Sequence, residues 1–190
     1  MELDSHADTC CAGSSFRLIE YTGQTCTVAP FTTTLSELKD IPIVKAATAY
    51  DDPITGETLV LVLAQALWFG DKLENSLICP NQLCNNGLKV EDTPRQYAPD
   101  SSHSIYFPGE DIRLSLFTEG YLSYIKTHTP TDEELGDCTW LMLTEDAPWD
   151  PYSEHFVHDE EQAVLSTDLF PTRPGLQRAS SAPCTSQMLF

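Results

Sequence analysis

IPIVKAATAY (Ile41–Tyr50), DDPITG (Asp51–Gly56) and ETLVLVL (Glu57–Leu63) make up the stretch that decides the fold. Its two arms are rich in Val, Ile, Thr and Tyr, which suit a pleated, half-buried surface. Asp-Pro opens a turn and Gly56 closes it, so a long β-hairpin is expected. An ordinary surface hairpin is the plain reading of this tip. The sharper one is a flap that closes over a substrate, with Asp52, Pro53, Ile54, Thr55 and Gly56 at its end.

Upstream, Phe16–Tyr21 and Thr25–Phe31 flank Thr22-Gly23-Gln24, which reads as a second hairpin with Gly23 in the turn. Downstream, Leu67-Trp68-Phe69 continues a strand that Gly70-Asp71-Lys72 breaks. Pro80 suits the first turn of a short helix over Asn81–Asn85, and Asn85-Asn86-Gly87 stops it. Leu88–Val90, Ser104–Phe107, Ile112–Phe117 and Tyr121–Thr127 read as strands, the last two joined through Thr118-Glu119-Gly120. Ile112, Leu114 and Leu116 alternate with Arg113 and Ser115, so one face is buried and the other wet. Seven or eight short strands and one or two short helices within residues 1–127 give an all-β class, a barrel or a sandwich.

Residues 1–127 hold 17 acids and 8 bases, whereas residues 128–190 hold 12 acids and 2 bases. The boundary of a β domain is therefore expected at 127, with an acidic tail or linker over 128–190. Thr131 with Glu134 is a capping box, predicting a short helix near 131–135. Acids, five prolines and a Ser/Thr-rich end make residues 144–190 read as largely disordered.

The net charge of −19 argues against nucleic acid and against an anionic membrane surface as partners. The longest apolar run, Leu59–Ala64, is strand-sized, and nothing resembles a signal peptide or a membrane span. Seven cysteines are then expected as free thiols in a reducing, intracellular and cytoplasmic setting. The cysteines do not form C-x-x-C pairs. Asp4, His6 and Asp8 alternate and make the best set for a metal, but no partner cluster accompanies them. No metal and no cofactor is expected.

The first thirteen residues read MELDSHADTCCAG. Leu3 leads into Asp4-Ser5, then His6, Ala7, Asp8 and Thr9. By itself this is a polar turn, where Asp and Ser are common. It is also a workable catalytic loop, in which the hydroxyl braces the chain and the carboxylate polarises a water.

That stretch resembles the active-site signature of retroviral-type aspartic proteases: Leu3, Asp4, Ser5, Ala7 and Asp8 match, and His6 stands where the family has Gly. A second segment, Leu67–Gly70 with Asn75–Ile78 and Asn81–Val90, resembles the end of the protease in copia-type retrotransposon polyproteins. The resemblance covers residues 2–90 best. It implies a small, closed, retropepsin-like barrel and an endopeptidase that acts on its own polyprotein as a homodimer. Asp4 and Ser5 would be the catalytic pair and His6–Thr9 the rest of the active-site loop. A leading strand shortened by the start at Met1 and a strained left-handed His6 are further expectations. The alternative is a catalytically inactive, truncated relic of such a protease, serving at most as an interaction domain.

Overall fold

Strand Thr58–Gly70 (β5) is buried almost throughout, and the rest of the fold is laid around it. The computed structural model describes residues 1–29, 34, 36–153 and 156. The elements are β1 (Glu2–Leu3), β2 (Cys11–Gly13), β3 (Arg17–Val28), β4 (Leu38–Asp51), β5, β6 (Leu77–Ile78), α1 (Pro80–Asn85), β7 (Lys89–Glu91), β8 (Ser104–Phe107), β9 (Ile112–Ser115), β10 (Phe117–Glu119), β11 (Leu122–Tyr124), α2 (Asp132–Asp137) and β12 (Thr139–Met142). The all-β expectation holds. The large sheet runs β10-β11-β1-β6-β2-β5-β4-β3, with β12 also on β5; β7-β8-β9 form a small antiparallel sheet. This path is open between β10 and β3, and no closed barrel forms among the described residues.

β5 is apolar at successive positions because both of its faces are covered, the pattern of a fully buried strand. Leu59, Leu61 and Leu63 enter the main core with Tyr50, Ile105, Phe107 and Leu114, so the small sheet packs on this face. The Tyr50 hydroxyl accepts a hydrogen bond from the Ser115 amide (3.1 Å), tying the sheets together. Val60 and Val62 point the other way, into a cluster with Ala47 that Leu135, Cys138 and Met142 cover.

That second cluster moves the domain boundary. The compact unit runs Met1–Pro151 and a second unit covers Tyr152–Phe190. Residues 128–151, expected as tail, instead supply α2 and β12 because Val60 and Val62 need apolar cover and the outer edge of β5 needs a partner. The capping box forms as expected: Glu134 N donates to Thr131 Oγ1 (3.2 Å) and Thr131 N to Glu134 Oε2 (2.7 Å). The disorder expected for residues 144–190 is not met at 144–153; residues 154–155 and 157–190 lie outside the described residues.

The hairpin at Asp51–Gly56 is present, joining β4 to β5 with Asp51 opposite Thr58. The hairpin expected at Gly23 is not. β3 runs straight through it, and its register on β4 slips between Tyr21 and Thr25. Gly23 takes φ +81°, and Thr22 Oγ1 donates to Ile43 O (2.8 Å), which makes this a bulge within one strand. Pro30 and Phe31, the end of that expected arm, lie outside the described residues. Ile112–Phe117 also divides: β9 pairs with β8, while β10 pairs with β11 in the other sheet.

His103 is buried (7% exposed), and its Nε2 lies 2.9 Å from Ser123 Oγ, which donates its own proton to Asp92 O. The ring therefore donates through Nε2. Burial first, and then the Arg95 charge, hold its pKa below the usual 6.5, with Asp92 opposing. The unfolded chain takes up this proton near pH 6.5 and the folded chain only at lower pH, so stability is lost as pH falls below about 6.5. Thermal unfolding between pH 7 and 5 is expected to show a smaller loss of Tm for His103→Asn than for the native chain.

Candidate active site

β1 and β6 lie side by side in parallel, Glu2 opposite Leu77 and Leu3 opposite Ile78. The ladder continues to Asp4, whose amide donates to Ile78 O (3.0 Å). The two sequence segments that carried the resemblance are thus hydrogen-bonded neighbours, although more than seventy residues separate them. After Asp4 the chain turns: Ala7 N donates to Asp4 O (3.2 Å), and His6 N donates to Asp4 Oδ1 (2.9 Å). A carboxylate bonded to an amide two residues on is the usual Asp device for holding a turn.

Asp4 Oδ2 accepts no hydrogen bond among the described residues. The Asp4 side chain is 35% exposed and that of His6 is 96% exposed, with His6 Nδ1 3.8 Å from Asp4 Oδ1. His6 is not among the described residues with positive φ. The left-handed strain expected there is absent, because the ring points into solvent and the turn closes through Asp4. Ser5 and Asp8 are exposed, while Ala7 and Thr9 are half-buried.

The loop is fastened at its far end by Cys10. Its amide donates to Gln82 Oε1 (2.8 Å), its carbonyl accepts from Leu67 N (2.9 Å), and its sulfur accepts from Cys79 N (3.2 Å). The Gln82 amide also donates to Gln65 O (2.8 Å). Gln65 O faces this way because β5 carries one extra residue there: Ala46 pairs with Leu63 but Val44 with Ala66. Beyond the bulge, β2 joins β5 in parallel, Cys11 opposite Leu67. β12 pairs with the earlier part of β5 in parallel, Thr139–Met142 against Leu59–Val62, and Leu143 N then donates to Val62 O. Thr144 Oγ1 accepts from Ala64 N (2.8 Å). Two strands therefore share one edge of β5 end to end, and Gln82 and Thr144 fill the gap between them. Gln82 drew no notice in the sequence, since a glutamine in a short helix reads as surface.

The thiols here are unreactive. Burial raises Cys10 well above the ordinary value, and pushes Cys11 up to about 12 with help from Asp8, Cys26 and Asp4. A thiol kept protonated is a poor nucleophile and a poor metal ligand. Among the described residues no group of three or more His, Cys, Asp or Glu could hold a metal, so Asp4, His6 and Asp8 do not converge on one. The six described cysteines are free, and no described helix is long and apolar enough to cross a membrane.

Cys26, on the far half of β3, is raised by burial and then by Asp8, which brings that half of β3 near the loop. The Asp52–Gly56 tip lies elsewhere. It closes on itself through Ile54 N to Asp52 Oδ1 and Gly56 N to Asp52 O, both 2.8 Å, and Ile54 is 82% exposed. At about 3.3 Å per residue, Thr58 is about 23–30 Å along β5 from the Gln65–Leu67 stretch beside Cys10.

A strap from the C-terminal side reaches the loop. Asp146 pairs with Lys45 Nζ (3.1 Å) and its carbonyl accepts from Gln65 Nε2 (3.1 Å). Trp149 Nε1 then donates to Asp8 O (2.9 Å). Trp149→Phe keeps an aromatic ring, though a smaller one, and removes this bond, worth about 0.5–1.5 kcal/mol. Faster hydrogen exchange confined to the Ala7–Cys10 amides is the expected result, with little change in Tm. No protein-family model, no curated protein and no solved structure matches the chain.

Proposed function

We propose that this chain is an aspartic-type endopeptidase of the retrotransposon polyprotein kind, working as a homodimer on polypeptide substrates that include its own polyprotein. The observation that carries the reading is the β1–β6 pairing, which joins Leu3-Asp4-Ser5 to Leu77–Ile78 and α1. The chemistry needs two carboxylates sharing one proton, one taking a proton from water and the other giving one to the scissile carbonyl oxygen. Each chain offers one Asp-Ser step directly after a β strand, so a two-fold dimer supplies the second Asp4. Water then attacks the carbonyl carbon. The tetrahedral intermediate collapses as the amide nitrogen takes a proton, and the dyad returns to its shared-proton state. Ser5, exposed beside Asp4, is free to brace the partner's loop.

In this reading the closing element is the far half of the β3–β4 ribbon, which carries Cys26 near Asp8, in place of the Asp52–Gly56 tip. The test is cleavage of a peptide library between pH 4 and 7, with and without a transition-state inhibitor of aspartic proteases, beside sedimentation of the same sample. Inhibitor-sensitive cleavage by a dimer is expected. A stable monomer that cleaves nothing would support the inactive interaction domain instead.

A further inference from the structure

The strap changes character beyond Thr144. Leu141, Leu143 and Thr144 are buried against β5, so its root is fixed. Glu145–Pro148 are exposed, and Trp149 is half-buried. Neither Pro148 nor Trp149 joins an apolar cluster of the described residues. The strap holds through polar contacts instead: Asp146 to Lys45 and to the Gln65 amide, Trp149 to the Asp8 carbonyl. Exposed ion pairs and single hydrogen bonds are weak, and a segment held by them opens far more readily than the core.

Glu20, Thr22 and Gln24 of β3 line one cleft with Asp146 and Pro148 of the strap. The same β3 stretch leads on to Cys26 near Asp8, the residue that the strap reaches through Trp149. The strap therefore runs between the closing ribbon and the loop that carries Asp4, where an extended substrate has to lie. About 270 Å³ stays open beside it. That is below the ~300–1,000 Å³ of a small-molecule pocket and too little for several peptide residues.

We propose that residues 145–150 block the substrate groove of their own chain, and that a peptide binds only by displacing them, a reading that rests on the endopeptidase function above. Thr144 stays seated on β5 and serves as the pivot. Apparent affinity for a peptide is then reduced by the fraction of chains whose strap is off, so loosening the strap raises it. A strap that only braced the loop would act the other way, since its loss would disorder the site.

The test uses an uncharged statine-containing peptide, a transition-state inhibitor of aspartic proteases, on the full-length chain. Calorimetry gives its affinity. Asp146→Ala combined with Trp149→Phe should bind it about tenfold more tightly than the native chain does. Lys45→Met, which unlatches Asp146 from the β4 side, should tighten it about threefold. In the native chain, adding the inhibitor should speed hydrogen exchange at the amides between Glu145 and Asp150 while slowing it at Asp4–Cys10. This readout stands even where a variant unfolds, and a bracing strap would be protected together with the loop. Equal or weaker binding in the folded variants, or slower exchange between Glu145 and Asp150, overturns the self-block and leaves the peptidase standing. No binding to any of these chains, with no cleavage by the native one, overturns the peptidase and the self-block with it.

Discussion

Asp4→Asn should all but abolish peptide cleavage, lowering the rate by about 10²–10⁴, while leaving the fold intact. Asparagine has the same shape, and its side-chain oxygen still accepts from the His6 amide, so the turn survives. What disappears is the proton-transferring pair, and general acid–base chemistry of this kind supplies about 10²–10⁴ in rate. Peptide cleavage and thermal unfolding, measured on one preparation, separate the two effects. Equal residual cleavage in the variant would sink the mechanism. A mixing experiment goes further. If each site takes one Asp4 from each of two exchanging chains, adding an equal amount of the variant leaves about half the activity of the native protein present. A chain that works alone loses nothing on mixing.

The second large effect is on stability. Gln82→Leu should cost about 2–6 kcal/mol, read as a lowered midpoint in urea with an unchanged slope. Leucine fills a similar volume, but Cys10 N and Gln65 O lose their shared partner. Both groups are buried, and each stranded one costs about 1–3 kcal/mol. Cys84→Ala, at an exposed position on the same helix, should stay within about 0.5 kcal/mol. Gln82→Leu should also loosen the Asp4–Thr9 loop, since Cys10 anchors its end. A Gln82→Leu chain as stable as the Cys84→Ala control would show that water replaces the amide without loss.

The strands were legible in the sequence where burial has a simple period. Ile112, Leu114 and Leu116 alternate as expected, and the apolar Leu59–Ala64 run is the doubly covered centre. The helix at Thr131–Glu134 was legible because its cap is local chemistry. Gly23 misled because left-handed glycine serves a bulge as well as a turn, and only the partner strand decides between them. β12 was hidden because Thr139–Met142 is short and sits among acids, and its reason to pair lies eighty residues upstream in β5. For the site, Asp4 and its neighbours were legible as a motif, and their junction with Ile78 is a parallel pairing that no local pattern encodes. The roles of Gln82 and Trp149 were illegible for the same reason, since each matters only through a distant backbone group.

The edge of β5 shared by β2 and β12 has a consequence for how the chain is made. During synthesis the first strands emerge long before their partners: β1 waits for Leu77–Ile78 and then Tyr124, β2 waits for Leu67, and the remaining edge of β5 stays bare until Met142 has been added. Such distant closures are slow, and a bare apolar strand is a template for other chains. A product released at residue 127 would carry that bare edge permanently. Chains ending there should aggregate, and those reaching Pro151 should not.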